Sequence, residues 1–132
     1  MGKDDGRLTD SRSRALIAAR AASAKQAGDI VILDVGDLIG ITDYFVICSG
    51  KNERQVATII DEVERRLRAA GAKPSRREGE REQRWVLLDY FDVVLHVFHT
   101  EEREFYELER LWKDAPRITL EEEIDEEGVV NG

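Results

Sequence analysis

Hydrophobic and polar positions along the chain follow two spacings, and each predicts one kind of element. Short runs rich in β-branched residues, DIVILDV at 29–35 and TDYFVICSG at 42–50, predict buried strands. An alanine-rich segment before them predicts a helix that Ser11 or Ser13 caps and that ends in a left-handed residue at Gly28. Gly36 and Gly40 predict a loop between the two strands.

The clearest helical pattern begins after Asn52, which has capping-box spacing to Gln55. Apolar residues then recur every three or four positions and share one helix face: Val56, Ile59, Ile60, Val63 and Leu67. Charged residues mark the opposite face, which we expect to meet solvent: Glu53, Asp61, Glu62, Arg65 and Arg66. Gly71 ends this helix and Pro74 prevents its continuation.

The stretch WVLLDYFDVVLHVF at 85–98 predicts an antiparallel hairpin with strands at 85–89 and 92–98. A loop of two residues (90–91) and a loop of four (89–92) give the same register. In that register Leu87 faces Val94, and Trp85 faces His96. With the tighter loop Asp89 faces Asp92, and all six side chains lie on one side of the ribbon. Like charges directly opposite each other destabilise a hairpin, so this arrangement suggests a role outside the chain's own stability.

The remaining pattern completes the expected fold. A weak extended piece lies near 73–77, and a last helix at 101–112, with Thr100 as its cap, carries Phe105, Leu108 and Trp112 at helical spacing. Pro116 is expected to end the ordered chain. The order of elements predicts an α/β (α+β) fold in which a mixed β-sheet is packed with helices. We expect a flexible lead at 1–12, one domain at 13–117 and an acidic disordered tail at 118–132.

Composition and charge narrow the class of protein. The chain has 132 residues, of which 42% are hydrophobic and 36% charged, as in a soluble globular domain. Of its 28 acidic residues, six lie in 119–132, a segment without a single base, and the net charge is −8. Such a chain is a poor binder of DNA. No membrane span and no secretory signal are expected, so a cytoplasmic location is the default.

Candidate chemistry is sparse. The chain has no phosphate-binding glycine motif and no Asp-x-Asp pair of the kind that nucleotidyltransferases use to hold metals. His96 and His99 are three apart on a strand and point to opposite faces, so they cannot share a metal ion. Cys48 is the only cysteine and cannot form an internal disulfide. We therefore expect no catalytic residue, no metal and no cofactor.

The tryptophan-bearing side of the hairpin has two interpretations. Trp, aliphatic residues, a histidine and carboxylates together suit a recognition surface for a basic protein. Alternatively, Trp85 packs under a helix, the acids are solvated and His96 is a structural brace. The residues alone do not decide between these two.

Four blocks, DIVILDV, TDYFVICSGKNERQV, WVLLDYFDVVLHVF and REFYELERLW, in this order and spacing, resemble the Iojap family of ribosomal silencing factors. The resemblance covers about residues 13–117. It implies a nucleotidyltransferase-like fold without the enzyme's catalytic motif. It also implies a non-enzymatic repressor that binds ribosomal protein L-fourteen on the large ribosomal subunit and blocks joining of the small subunit. Alternatives are a large-subunit assembly factor acting at the same place and a residual nucleotidyltransferase.

The resemblance also implies which residues contact the partner: Trp85, Asp89, Tyr90, Asp92, His96, Arg103 and Tyr106. Trp85 and Tyr90 are the expected anchors, and the acids are expected to pair with Lys or Arg. The family commonly has Gly-Asp at the hairpin tip, whereas this chain has Phe91-Asp92. A homodimer of the free protein is also implied.

Overall fold

A computed structural model describes residues 10–106, 110 and 113–119, with the backbone alone at 104–106 and 119. The helices are α1 (Ser11–Ala24), α2 (Gly36–Ile39), α3 (Glu53–Ala69) and α4 (Thr100–Tyr106). The strands are β1 (Gly28–Asp34), β2 (Tyr44–Gly50), β3 (Arg76–Glu78), β4 (Trp85–Asp89), β5 (Val93–His99) and β6 (Arg117–Thr119). In this part of the chain the strands form one six-stranded sheet in the order β3-β4-β5-β2-β1-β6.

The predicted fold class is confirmed, since the sheet is mixed and packed with helices. β2 and β5 are parallel, and the other neighbouring strands are antiparallel. α1 and α3 cover one face of the sheet. The core between them is built from alanines of α1, the predicted apolar face of α3 and strand residues such as Val46, Leu88 and Leu95. The small alanine side chains of α1 let its backbone approach the sheet closely.

The α3 prediction is confirmed at both ends. Asn52 Oδ1 accepts a hydrogen bond of 2.8 Å from the Gln55 backbone N–H, and Gly71 takes a left-handed φ of 92° after the last turn. One residue of the expected solvent face differs: Glu62 is only 9% exposed, because Arg65 and Arg66 fold over its carboxylate with N–O distances of 2.6 Å. Their hydrogen bonds lower the pKa of Glu62 to about 2.

Several predicted element ends are wrong. Asp10, not Ser11 or Ser13, caps α1, because its carboxylate accepts from the Ser13 N–H at 2.8 Å. Gln26, with φ 63°, takes the left-handed position after α1, and Gly28 starts β1. The segment between Gly36 and Ile39 is a short helix rather than a loop. Thr100 is the first residue of α4 rather than its cap, and its hydroxyl donates to the Gly50 carbonyl. His99 Nδ1 instead accepts from the Glu101 N–H at the start of α4.

The expectation that Pro116 ends the ordered chain is also wrong. β6 follows it and pairs with β1, placing Ile118 opposite Ile32. Ile118 packs on the core, which explains why this short segment joins the sheet. Residues 1–9 of the predicted lead and 120–132 of the predicted tail lie outside the described residues. Within the described part of the chain, no helix has the length and apolar character needed to cross a membrane.

Candidate functional site: a groove beside the hairpin

The face of the sheet opposite α1 and α3 carries a groove of about 360 Å³ between the α2–β2 connection and the β4–β5 hairpin. We call it the hairpin groove. Its walls are mostly apolar, with polar groups at the floor and rim: Ile39, Ile41, Thr42, Phe45, Arg76, Leu87, Asp89, Phe91, Val94 and His96. The groove forms because residues 39–45 lie close to the hairpin in the folded chain although they are distant from it in sequence.

Large apolar side chains are exposed at this groove. Ile41 is 84% exposed and Phe91 is 73% exposed, and both line the walls. Leu38, in the adjacent helix α2, is 51% exposed. Exposed apolar side chains that line one groove suit a contact surface. Neither Ile41 nor Phe91 was predicted as a site residue, although an isoleucine that directly follows a glycine, in LIGIT (38–42), is a visible signal.

The hairpin register differs from the prediction by two positions. Trp85 pairs with Phe98, Leu87 with His96 and Asp89 with Val94. The loop is Phe91-Asp92, closed by the Tyr90 N–H donating to the Val93 carbonyl at 2.9 Å. Because the shift is two and not one, Trp85, Leu87, Asp89, Val94 and His96 still share one face, as predicted.

The tip of the hairpin is a strained turn. Phe91 has φ 73°, and the Asp92 N–H donates to the Tyr90 carbonyl at 2.9 Å. This is the hydrogen bond of a γ-turn whose central residue has a positive φ, the rarer of the two γ-turn forms. The Phe91 N–H donates to Asp89 Oδ1 at 2.8 Å, which holds the carboxylate against the backbone of the turn. Glycine adopts this φ without strain, whereas Phe91 places a side chain at the tip and carries the strain.

His96 lies at the floor of the groove and is 6% exposed. The Trp85 indole N–H donates to His96 Nδ1 at 3.1 Å, and the Phe45 ring and the imidazole form a T-shaped contact with centroids 4.9 Å apart. Burial lowers the pKa of His96 to about 4, so the ring is neutral near pH 7. Because Nδ1 accepts a hydrogen bond, the single proton is on Nε2, which has no hydrogen-bond partner among the described residues.

Trp85 itself is half-buried beside the groove. Its ring stacks on Phe98 with centroids 4.8 Å apart, and both belong to a second, smaller core with Leu33, Val35 and Ile47. Trp85 therefore supports His96 from the side while one part of its surface stays accessible.

Two predicted site residues lie away from this face. Tyr90 is 5% exposed and packs in the core under α3, where burial raises the pKa of its hydroxyl to about 12. Asp92 sits in the turn, and its carboxylate forms an ion pair with Arg14 of α1. The expectation that Asp92 faces Asp89 on one side of the ribbon is therefore wrong, and Tyr90 is placed as a core residue rather than an exposed anchor.

The last two predicted residues belong to α4. Arg103 is 7% exposed and donates to the Gly28 carbonyl at 3.3 Å and to Ser49 Oγ at 3.5 Å, close to the opposite end of β2 from the groove. Its position joins α4 to the sheet. Tyr106 is the last residue of α4 within the described range, and its side chain is outside the described part of the structure. Within the described residues no group of three or more His, Cys, Asp or Glu side chains is placed to hold a metal ion.

The chain is similar in sequence to known proteins. The family model described as "Ribosomal silencing factor during starvation" matches residues 9–130. The chain belongs to the ribosomal silencing factor family. It is 45% identical over 105 residues to ribosomal silencing factor RsfS of Bacillus subtilis, covering 80% of this chain and 89% of that protein. It is 34% identical over 111 residues to the chloroplastic protein Iojap of Zea mays, covering 82% of this chain and 47% of that protein.

The fold of this family member also has a solved counterpart. A crystal structure from Chromobacterium violaceum matches with a TM-score of 0.77 and 30% identity, covering 80% of this chain and 88% of the other. The resemblance predicted from the sequence is thus confirmed. The names of the Bacillus subtilis and Zea mays relatives describe a silencing factor and Iojap, and neither names an enzyme.

Proposed function

We propose that this silencing factor binds ribosomal protein L-fourteen on the large ribosomal subunit through the hairpin groove. In that position it keeps the small subunit from joining and so represses translation. The observation that carries the proposal is the pair of exposed apolar side chains that line the groove, Ile41 and Phe91. Family membership supports the ribosome as the partner.

The groove has the composition of an interface. Its apolar walls supply buried area, and the Asp89 carboxylate at its rim favours a basic side chain of a partner. A specific interface buries on the order of 800 Å² per partner. A body of 15.0 kDa held there obstructs by its volume, and the proposed mechanism needs no bond-making step.

Co-sedimentation with purified large subunits tests the proposal. Ile41→Glu is the best variant, because Ile41 is 84% exposed and its replacement leaves the core untouched. We expect wild-type protein to sediment with large subunits and Ile41→Glu to remain in the supernatant. Thr58→Glu, which adds the same charge on an exposed position of α3, is the matched control and should bind like wild type. Binding by Ile41→Glu at wild-type level would exclude the groove as the contact surface.

The variants suggested by the sequence alone are less informative. Trp85→Ala removes the stacking on Phe98 and the hydrogen bond to His96, and Asp89→Lys removes the acceptor of the Phe91 N–H. Both should abolish binding, and both also disturb the chain's own contacts. Their folded state therefore has to be checked by circular dichroism and thermal unfolding.

The cytoplasmic location and the homodimer of the free protein are part of the proposal. Among the described residues the two edge strands are short, since β3 and β6 have three residues each. Short edge strands limit pairing between copies through the sheet. Sedimentation velocity at several protein concentrations measures whether the free chain dimerises.

A further inference from the structure

One end of the hairpin groove combines a carboxylate, an exposed aromatic ring and an arginine. Asp89, Phe91 and Arg76 all line it. The hydrogen bond of 2.8 Å from the Phe91 N–H to Asp89 Oδ1 holds the Phe91 backbone next to the carboxylate, and the Phe91 side chain is 73% exposed at the same groove. A carboxylate beside the accessible face of an aromatic ring suits a guanidinium or ammonium group, which gains an ion pair from one and a cation–π contact from the other.

A cation of the chain itself already lies at this place. Arg76 Nη2 is 3.5 Å from Asp89 Oδ2, and Arg76 Nε is 3.3 Å from Glu78 Oε2. These distances exceed the 2.7–2.9 Å of a well-formed charge-assisted hydrogen bond. The Arg76 side chain is 59% exposed, and β3, which carries it, is an edge strand with all three residues exposed. Such a pair is loose and contributes little to stability, so another cation can replace it.

We propose that Arg76 is an internal competitor for the partner's cation. In the free chain it occupies the position beside Asp89, and an arginine or lysine of the bound protein displaces it, with the Phe91 ring covering the incoming group. This inference rests on the proposed function, because the displacing cation belongs to the protein of the large subunit that enters the groove. It adds that the chain's own arginine lowers the affinity of that complex.

The test measures the affinity of the full-length chain for purified large subunits. Arg76→Gln removes the competitor and should bind about two- to five-fold more tightly, the range that an exposed ion pair can supply. Arg54→Gln is the matched control: Arg54 is an exposed arginine on α3, on the other face of the sheet. It changes net charge by the same amount and should leave the affinity unchanged, which separates displacement from a general charge effect.

A double-mutant cycle identifies Asp89 as the group that both cations use. Asp89→Asn should weaken binding several-fold, and in that background Arg76→Gln should give no gain, because a neutral amide holds neither cation. Phe91→Leu keeps an apolar side chain at the same strained φ and removes the ring. It should also weaken binding if the ring covers the cation.

The outcomes separate this inference from the function on which it rests. Absence of wild-type binding to large subunits would overturn both. Wild-type binding with equal affinities for Arg76→Gln and Arg54→Gln would overturn the competitor alone and leave the groove as the contact surface. A gain from Arg76→Gln that persists in the Asp89→Asn background would show that Arg76 acts elsewhere. Phe91→Leu with wild-type affinity would remove the ring from the proposal.

Discussion

At the scale of single residues, the most informative group is His96, for which the sequence left a structural and a partner-binding role open. The structure gives it a structural contact, because the Trp85 indole donates to its Nδ1 and Phe45 packs on its ring. Sequence alternation correctly placed Trp85 and His96 on one side of the ribbon. It could not predict their hydrogen bond, which depends on a register two positions away and on a diagonal contact between the side chains.

The buried, neutral state of His96 predicts a pH dependence of stability. In the unfolded chain the imidazole titrates near pH 6.5, whereas in the folded chain its pKa is about 4. Between these values the unfolded chain binds a proton that the folded chain does not. The contribution of His96 to the free energy of unfolding should therefore be fully present above about pH 6.5. It should decrease as the pH falls toward 4, by up to about 3 kcal/mol. Urea unfolding at a series of pH values measures this loss.

His96→Asn is the control for that prediction. Asparagine does not titrate, and its side-chain oxygen can accept the Trp85 N–H. Asp89 and Arg76, the charged groups that line the same groove, remain in the variant. The pH-dependent loss should be smaller than in wild type by the His96 contribution. Equal losses in both proteins would mean that His96 is not the group responsible.

Phe91 predicts a trade between stability and binding. A non-glycine residue at φ 73° carries backbone strain of about 1–3 kcal/mol, and glycine relieves it at an entropic cost of roughly 0.5–1 kcal/mol. Phe91→Gly should therefore raise the free energy of unfolding by about 1 kcal/mol while weakening binding to large subunits. Phe91→Ala, which keeps the strain and loses the ring, should weaken binding without the gain in stability. A Phe91→Gly protein less stable than Phe91→Ala would contradict this account.

At the scale of elements, local signals were reliable where one segment contains all the information. The cap, apolar face and stop of α3 are within one stretch, and each prediction there held except the exposure of Glu62. The hairpin was predicted as a pair of strands but with the wrong loop. Since Tyr90-Phe91 and Phe91-Asp92 both lack glycine, composition did not choose between them. The choice follows from Tyr90 packing into the core under α3, a contact that local sequence does not encode.

The turn between β3 and β4 predicts a second test at this scale. Gly79 has φ 83°, and a Cβ built there would lie 2.0 Å from the Trp85 carbonyl oxygen. Gly79→Ala must therefore move the start of β4 and with it Trp85. We expect the free energy of unfolding to fall by more than about 1 kcal/mol and binding to large subunits to weaken.

Gly40→Ala is the matched control for Gly79→Ala. Gly40 has a similar φ of 82°, but a Cβ there meets no atom within 4 Å. Its substitution should cost only the backbone strain, about 1 kcal/mol. Thermal unfolding of both variants measures the difference. Equal destabilisation would show that the close approach to the Trp85 carbonyl is relieved without cost.

At the scale of the whole molecule, the order of elements was enough to predict a mixed sheet packed with helices, and the motif series was enough to predict the family. The groove was not predictable in the same way. It forms where Ile39 and Ile41, far earlier in the chain, meet the hairpin across β2, so its walls come from segments that no local pattern links. For the same reason the short strand β6, which pairs with β1 from the other end of the chain, was missed.

The proposed obstruction of subunit joining makes a prediction that concerns the whole molecule. If the bound chain occupies the place of the small subunit, its effect must depend on the order of addition. Chain added to large subunits before small subunits should lower the fraction of joined ribosomes in proportion to its occupancy. Chain added to ribosomes that are already joined should have little effect until they dissociate. Density-gradient profiles of the two mixtures measure this difference, with Ile41→Glu as the variant that should inhibit in neither order.

An assembly factor would behave differently, because it would bind precursor particles in preference to mature large subunits and leave joining of mature subunits unchanged. Equal inhibition in both orders of addition would also exclude simple obstruction, since a body that cannot reach its site in the joined ribosome cannot separate it.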